Sequence, residues 1–263
     1  MSGSEPPVDP PGQGTSSFGF REVAAEDKPS LVRGVFESVA DRYDLMNDLM
    51  SGGIHRLWKS AMIDWLRPRP GQHFIDVAGG TGDIAFRILE RLSAGDNPAP
   101  SRVVICDLTP AMLAVGRDRA IDRGILSGIE WVNGDAENLP FADLSFDAYT
   151  VAFGLRNLTH LDQALREARR VLKPGGRLLS LEFSHVAVPM LDRLYDLYSF
   201  RVLPLLGQIV ARDRAAYQYL VESIRRFPRQ DELVQRIAAA GFERVTFRNL
   251  TGGIAALHSA WRG

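Results

Sequence analysis

The stretch Phe74-Ile-Asp-Val-Ala-Gly-Gly-Thr-Gly-Asp83 decides the fold, because a short apolar strand runs directly into a glycine turn and a helix follows. Gly79, Gly80 and Gly82 let the backbone turn sharply and lie close to a ligand, since no Cβ blocks the approach. Their Gly-Gly-Thr-Gly spacing differs from the G-x-G-x-x-G of dinucleotide-binding folds and disfavours a nicotinamide dehydrogenase. The segment predicts a ligand site at a strand end; the alternative is an ordinary tight turn between a strand and a helix.

The same turn is acidic, because Asp76 and Asp83 flank the glycines. A turn that binds pyrophosphate relies on bare N–H groups at a helix N-terminus, and negative charge there would repel the phosphate. The acidic turn therefore favours a ligand with positive charge and no phosphate. S-adenosylmethionine, with its ammonium and sulfonium groups, is such a ligand.

Composition narrows the class of protein. The 263 residues fit one large α/β domain or two small ones, and 45% hydrophobic with 24% charged residues is typical of a globular protein with a core. The formal net charge of −1 gives no reason to expect nucleic acid as a partner. Cys106 is the single cysteine, which excludes an internal disulfide and favours a reducing compartment. The five histidines show no metal-ligand spacing, so no metal is expected.

Residues 1–17 are rich in proline and glycine, and no Lys or Arg precedes Arg21. This composition predicts a disordered tail and not a targeting sequence. No apolar run approaches the roughly 20 residues that a membrane-spanning helix needs. We therefore expect a cytoplasmic protein, and a single domain over residues 18–263.

From residue 73 onward, strands and helices alternate, which predicts a parallel sheet covered on both faces. The expected strands are residues 73–78, 102–107, 129–133, 146–152, 177–183, 244–248 and 254–259, and the expected helices are 83–92, 110–123, 161–172 and 231–240. Lys173-Pro-Gly-Gly176 is expected to be a turn before the fifth strand, and the last two strands a hairpin. Residues 18–70, with helices near 36–43 and 55–66, would form a helical lid. Residues 184–228 would form a helical insertion that caps the substrate.

In an open α/β sheet, ligands bind beyond the carboxyl ends of the strands. Asp107 ends the second strand and can accept hydrogen bonds from ribose hydroxyls; the alternative is a helix N-cap, a role that Thr109 fits better. Asp135 follows the third strand and could accept from an adenine amino group, with the Ala136 backbone reading the ring edge. The alternative for Asp135 is capping of a turn.

The fourth strand ends in Phe153-Gly-Leu-Arg-Asn157. An Arg and an Asn after a buried strand are expected to face the mouth of the site. The alternative for Arg156 is a structural ion pair with an acid.

The chain resembles the ubiquinone/menaquinone biosynthesis C-methyltransferase family over residues 18–261, all but the tail. The matching segments are residues 35–50, 55–59, 78–83, 133–141, 153–157, 170–177, 195–200, 222–225, 249–253 and 256–258. The resemblance implies a class I, Rossmann-like methyltransferase fold, with a seven-stranded, mostly parallel sheet and an antiparallel last strand.

The resemblance also implies the activity: methyl transfer from S-adenosylmethionine to a ring carbon of 2-methoxy-6-polyprenyl-1,4-benzoquinol, and in some members to demethylmenaquinol. The family's cofactor positions fall on Thr81, Asp107, Asp135 and Ala136, and on Ala152, where a serine is common. The expected catalytic residues are Arg156 and Asn157, holding the quinol oxygens and a water, with Tyr43 as a lid residue.

Further expectations concern the partners. Leu191, Leu194, Tyr195, Tyr198 and Val202 follow helical spacing and would bind the lipophilic polyprenyl tail or form buried core. Arg225, Arg226 and Arg229 would contact anionic lipid headgroups on the inner face of a bacterial cytoplasmic membrane, or form a solvated basic patch. Other quinone-biosynthesis enzymes and a second copy of the chain are the further partners considered.

Two alternative functions stay open at this point. One is methylation of another phenol or a sterol by the same fold. The other is a non-catalytic member of a quinone-synthesis complex, which the intact glycine turn and Asp107 disfavour.

Overall fold

The computed structural model describes residues 14–40, 47–48, 51–93, 101–186 and 214–263. The strands of the described chain are β1 (Thr15–Phe18), β2 (Arg21–Ala24), β3 (His73–Val77), β4 (Arg102–Asp107), β5 (Ile129–Asn133), β6 (Phe146–Ala152), β7 (Leu172–Phe183), β8 (Glu243–Leu250) and β9 (Ala255–Trp261). The helices are α1 (Lys28–Val39), α2 (His55–Leu66), α3 (Asp83–Ser93), α4 (Pro110–Asp122), α5 (Leu161–Val171), α6 (Arg214–Arg226) and α7 (Gln230–Ala239).

Seven strands form one sheet in the order β5-β4-β3-β6-β7-β9-β8. Strands β3 to β7 are mutually parallel, and β9 runs antiparallel to both of its neighbours. The strand order reverses between β3 and β6, where crevices open at the carboxyl ends of parallel strands. The predicted class I methyltransferase fold is confirmed.

The central strands are buried because helices cover both faces of the sheet. Helices α2, α3 and α6 pack on one face around Phe74 and Leu179, and α5 and α7 pack on the other around Ile75 and Leu178. Each of these four side chains is at most 1% exposed. Full burial of such a side chain contributes about 1.5–3 kcal/mol to stability, so the sheet core is rigid enough to hold a site at its edge.

Most predicted elements are present within a few residues, but three expectations need correction. Lys173–Gly176 is not a turn before the strand: β7 begins at Leu172, and its pairing with β6 shifts register between Phe146 and Ala148. The extra residues form a bulge there, with Gly175 at φ +74°. The last two strands are longer than expected, because their ladder continues to Leu250 and Trp261.

The third correction concerns the N-terminus. Strand β1 begins at Thr15, inside the stretch predicted as tail, and pairs with β2 in a short antiparallel hairpin. The residues between 18 and 70 therefore include strand as well as helix. Of the predicted insertion, α6 lies within the described chain, whereas residues 187–213, with the predicted tail-binding stripe, lie outside the described residues.

Candidate active site

The carboxyl ends of β3, β4 and β6 meet at one edge of the sheet and enclose a mainly apolar cavity. Its polar lining comes from Gly80, Asp107, Asp135 and Asn157, and its apolar lining includes Met112, Ala136 and Phe153. Helix α1 covers the cavity with Val32 and Phe36. Five of the residues predicted from sequence therefore share this cavity: Gly80, Asp107, Asp135, Ala136 and Asn157.

Asp107 is held rigidly at the end of β4. Gly80 N–H donates to its Oδ2 at 2.9 Å, and Thr109 N–H donates to its Oδ1 at 2.8 Å. Burial raises the pKa of this carboxyl, and the two backbone donors act in the opposite direction. A carboxylate has about four lone-pair positions, so both oxygens can still accept from ribose hydroxyls. Thr109 occupies the N-cap position of α4, although its side chain forms no capping hydrogen bond.

The glycine turn needs its glycines for space as well as for conformation. A Cβ on Gly79 would lie 2.8 Å from Asp76 Oδ2, and one on Gly80 would lie 2.9 Å from Met112 Cε. Gly80 and Gly82 also adopt positive φ angles of +51° and +83°. The turn therefore lies directly against Asp107 and the cavity, as its sequence predicts.

Two non-glycine residues beside the glycine turn also adopt left-handed backbone conformations. Ala78 at the end of β3 has φ +50°, and Phe153 after β6 has φ +60°. Such backbone strain costs about 1–3 kcal/mol per residue and concentrates at functional sites. Gly154 is required between them, because a Cβ there would lie 2.5 Å from the Ala78 Cβ.

Asp76 is the buried acid of the turn. Thr150 donates to its Oδ1 at 2.8 Å, and its Oδ2 has no hydrogen-bond partner in the described part of the chain. Burial raises the pKa of Asp76 to about 7, despite the Thr150 hydrogen bond. An orphan carboxylate oxygen in a buried position suits a cationic partner, such as the cofactor's ammonium group.

Asp83 does not add free negative charge, contrary to the prediction of an acidic turn flanked by two carboxylates. Lys59 donates to its Oδ2 at 2.7 Å and Arg87 to its Oδ1 at 3.0 Å. Burial opposes ionisation of Asp83, but these two cations hold its pKa at about 2. Of the two acids in the turn, Asp76 is therefore the one without a cationic partner, and Asp107 and Asp135 add carboxylates at the cavity.

Thr81 and Ala152 lie outside the main cavity. Both line a small adjacent cavity beside Asp76 and Lys59. The Thr81 hydroxyl accepts from Arg119 at 3.1 Å, which leaves the backbone and the remaining lone pair for a ligand. We therefore expect the predicted cofactor contacts of Thr81 and Ala152 in the small cavity beside Asp76.

Asp135 and Ala136 mark the opposite end of the cavity. Asp135 Oδ1 accepts from Glu137 N–H at 2.9 Å, so this residue caps a turn and also lines the cavity. Gly134 is tightly enclosed, because a Cβ there would lie 2.8 Å from Cys106 Sγ. The sequence left capping and ligand contact as alternatives, and the geometry allows both.

Arg156 does not face the mouth of the cavity, which corrects the expectation from sequence. Its side chain is fully buried, and Nη1 donates to Glu182 Oε1 at 2.6 Å and to the Phe153 carbonyl at 2.5 Å. Burial raises the pKa of Glu182, and the Arg156 charge opposes that shift. The structural alternative, an ion pair with an acid, is the arrangement that the structure has.

Asn157 lies at the end of a short 3₁₀ turn, Leu155–Asn157, that also carries Arg156, and it lines the cavity. Tyr219 O–H on α6 donates to its Oδ1 at 3.1 Å, and its Nδ2 lies 3.4 Å from the Phe153 carbonyl. The amide is therefore oriented by its neighbours. Tyr43, the third predicted catalytic residue, lies outside the described residues.

Sequence reasoning missed Glu182 and Tyr219. Glu182 had a detectable signal, because an acid at the carboxyl end of the apolar run 178–183 needs a buried partner. Tyr219 had no such signal, since its contact with Asn157 depends on how α6 packs. In the described part of the chain, no cluster of His, Cys, Asp and Glu could hold a metal ion.

Comparison with known proteins identifies the family of this chain. The model of the ubiE/COQ5 methyltransferase family matches residues 21–262. The chain belongs to the ubiE/COQ5 methyltransferase family. It is thus a methyltransferase enzyme that uses S-adenosylmethionine, as the sequence predicts.

Individual relatives of the family are close in sequence. The chain is 61% identical over 245 residues to "Ubiquinone/menaquinone biosynthesis C-methyltransferase UbiE" of Paracoccus denitrificans, covering 93% of this chain and 96% of that protein. It is 56% identical over 248 residues to the protein of the same name from Brucella abortus strain S19, covering 94% and 90%. The family relationship therefore extends over nearly the whole chain.

Solved structures agree with the fold at low sequence identity. A Thermotoga maritima S-adenosylmethionine-dependent methyltransferase, titled a possible histamine N-methyltransferase, has a TM-score of 0.62 at 19% identity, covering 88% of this chain and all of that chain. Phosphoethanolamine N-methyltransferase 2 of Haemonchus contortus, in complex with S-adenosyl-L-methionine, has a TM-score of 0.56 at 15% identity, covering 78% and 52%. Across the described residues, no helix has the length and apolar character to cross a membrane.

Proposed function

We propose that the chain methylates a ring carbon of 2-methoxy-6-polyprenyl-1,4-benzoquinol in ubiquinone biosynthesis, and of demethylmenaquinol in menaquinone biosynthesis. The support is the name shared by relatives at 56–61% identity over more than nine-tenths of the chain. The observation that carries the proposal is the mainly apolar cavity that joins the Asp107 carboxylate to Phe36 and Phe153. A lipophilic aromatic substrate fits such walls better than a charged one does.

In this proposal, the chain's residues bind and align the reactants. When bound, S-adenosylmethionine supplies an electrophilic methyl group. Asp107 binds the ribose hydroxyls, Asp135 and Ala136 bind the adenine, and Asp76 with the Gly79–Gly82 turn, Thr81 and Ala152 binds the amino-acid end. Alignment of two reactants can lower a barrier by about 7–11 kcal/mol in favourable cases.

Asn157 is the group of the predicted catalytic set that lines the cavity, and its Nδ2 is the donor for a quinol oxygen. An amide does not accept protons at neutral pH, so the ring proton leaves to a water. Arg156 and Glu182 act as positioning residues, because they fix the turn that carries Asn157. Tyr43 remains a proposed lid residue.

We further propose peripheral contact with the inner face of the cytoplasmic membrane, because a polyprenyl quinol resides in lipid. We also propose that residues 18–70 form the lid and that residues 184–228 form the substrate cap. Contact with other quinone-biosynthesis enzymes, and pairing with a second copy of the chain, are proposals of the same standing.

The test is methyl transfer from labelled S-adenosylmethionine to the benzoquinol and to demethylmenaquinol, side by side under reducing conditions. Label in the benzoquinol supports the ubiquinone role, and label in both supports a dual role. Label in neither, with the cofactor bound, points to another phenol or a sterol. Failure to bind the cofactor would favour a non-catalytic member of a quinone-synthesis complex.

A further inference from the structure

A second, strongly basic cleft lies on the other side of the Leu155–Asn157 turn from the cavity. It has a volume of about 390 Å³ and lies between the β1–β2 hairpin, the start of α1, the end of α6 and the start of α7. Six cationic side chains line it against one carboxylate, that of Glu232; the cations are Lys28, Arg156, Arg225, Arg226, Arg229 and Arg236. Such an imbalance indicates an anion site if the charges are not neutralised locally.

Some of these cations have carboxylate partners. Arg156 pairs with Glu182, Arg226 lies 3.5 Å from Glu22, and Arg236 lies 3.0 Å from Glu232. The carboxylate that lines the cleft is thus engaged with Arg236. It does not neutralise the other cations.

Lys28 and Arg229 form no ion pair with any described residue. Lys28 is 4% exposed, and its Nζ donates to the Leu158 carbonyl at 2.7 Å and lies 3.4 Å from Ser16 Oγ, both uncharged. Burial lowers the pKa of Lys28, and the more distant Glu137 and Glu22 act against that shift. Arg229 is exposed at the start of α7.

Arg156 adds unused hydrogen-bond donors to the same wall. Its side chain is fully buried, and neither Nε nor Nη2 has a hydrogen-bond partner within the described ranges. Buried charges and donors without partners are costly, and natural proteins satisfy nearly all of them. A bound anion at this wall would offset the positive charge, while the Arg156 nitrogens themselves stay covered by protein atoms.

We propose that this cleft binds a phosphate group. A phosphate has several strong acceptor oxygens and matches Arg and Lys donors, and the hydroxyl-bearing residues Ser16, Ser17 and Thr159 line the same cleft. The phosphate belongs either to a free phosphate compound or to a phospholipid headgroup.

The cleft adjoins the active-site cavity through shared residues. Leu158 lines both spaces, and α1 presents Lys28 to the cleft and Val32 and Phe36 to the cavity, at i, i+4 and i+8. A bound phosphate therefore anchors the first turn of the helix that covers the active site. Phosphate binding itself does not depend on the proposed substrate.

The test measures inorganic phosphate binding to the full chain by isothermal titration calorimetry in a phosphate-free buffer. Arg229→Glu reverses one charge in the cleft, and Arg117→Glu makes the same change at an exposed position on α4, outside the cleft. We expect Arg229→Glu to weaken phosphate binding about tenfold or more, the loss of one charge-assisted hydrogen bond. Arg117→Glu should bind like the unchanged chain. Arg229→Gln serves if the reversal disturbs folding, as judged by circular dichroism.

A second arm identifies the source of the phosphate, using flotation with phosphatidylcholine vesicles that contain or lack phosphatidylglycerol. Binding to the anionic vesicles that Arg229→Glu weakens and Arg117→Glu does not assigns the phosphate to a headgroup. Phosphate binding without vesicle binding assigns it to a free compound. Binding of neither probe, or equal losses in the two charge-reversed variants, would overturn the proposal.

Discussion

Asp107 is the proposed ribose-binding residue, and two backbone N–H groups fix its carboxylate in place. Asp107→Asn keeps the size of the side chain, removes the charge that strengthens hydrogen bonds to ribose hydroxyls, and replaces one of the two oxygens that accept from backbone N–H groups. We expect the S-adenosylmethionine Kd to rise about 10- to 100-fold, the equivalent of about 1.5–3 kcal/mol. Calorimetric titration measures this change, and Asp118→Asn, an exposed acid on α4, is the matched control. Equal affinity in the two variants would remove Asp107 from the cofactor site.

The raised pKa of Asp76 predicts the direction in which folding stability changes with pH. Burial raises its pKa to about 7, above the ordinary value of 3.8, so the folded protein favours the protonated form. Its contribution to stability is therefore present below about pH 4 and is lost as the pH rises towards 7. Relative to Asp76→Asn, the unchanged chain should lose stability between pH 4 and pH 7 in denaturant titrations. A constant difference between the two proteins over that range would contradict the raised pKa.

The same group predicts the opposite trend for cofactor binding. Only the ionised carboxylate attracts an ammonium group, so affinity for S-adenosylmethionine should fall as the pH decreases through about 7. In Asp76→Asn this pH dependence should disappear. Parallel pH profiles for the two proteins would assign the ammonium group to a different partner.

How far single residues could be predicted depended on whether their role is local. Asp107 and the glycine turn were placed correctly because a strand end and its turn are encoded in adjacent residues. The direction of Arg156 was not predictable, since it depends on Glu182, which lies on the neighbouring strand β7. The charge of Asp83 was misjudged for the same reason, because its partner Lys59 lies on α2.

At the scale of elements, the 3₁₀ turn Leu155–Asn157 depends on the buried Arg156–Glu182 pair. Removal of one partner leaves an uncompensated buried charge, so Arg156→Ala should cost about 3–5 kcal/mol of stability and lower turnover. The double variant Arg156→Met/Glu182→Met should recover part of that stability, because an apolar pair avoids the desolvation penalty, whereas the backbone N–H of Phe183 loses its Glu182 acceptor.

The double variant also separates positioning from chemistry. If Arg156 only positions the turn, turnover should follow stability across the single and double variants. Loss of turnover in a fully stable double variant would contradict the positioning role and return Arg156 to the chemical step. Urea unfolding and steady-state kinetics on the same preparations provide both readouts.

Helix α1 is the second element with a predicted role. The cavity beneath Val32 and Phe36 has a free volume of about 80 Å³, below the roughly 300–1,000 Å³ of sites that hold drug-sized ligands. The helix must therefore move outward for the cofactor to enter, and then close over it. We expect S-adenosylmethionine to slow amide hydrogen exchange across residues 28–39, while α7 stays unchanged. Unchanged exchange in α1 with saturating cofactor would refute this lid role.

The sheet was predictable because four of its five parallel strands, β3, β4, β6 and β7, are mainly buried and rich in apolar residues. The β1–β2 hairpin was missed because its strands are short and polar, so their burial depends on packing against α1 and α6. The bulge in β7 was predicted as a turn, because a Pro174-Gly-Gly176 sequence is typical of a turn and also of a bulge. Local composition does not distinguish a turn from a bulge that pairs with a distant strand.

At the scale of the whole molecule, the sheet edge, the glycine turn and α1 surround one mainly apolar cavity, the proposed site for cofactor and acceptor. The basic cleft lies beside it on the same helix, α1. In the proposed function, the cofactor contacts are polar and buried, and the acceptor contacts are apolar.

The proposed function makes a ring carbon the acceptor atom, so the position of the new methyl group distinguishes it from transfer to an oxygen. The measurement is nuclear magnetic resonance of the product formed from ¹³C-methyl-labelled S-adenosylmethionine and 2-methoxy-6-polyprenyl-1,4-benzoquinol. The proposed function predicts one labelled methyl group on a ring carbon, with the aromatic proton at that position lost. A labelled methoxy group, or no labelled quinol with cofactor bound, would contradict it.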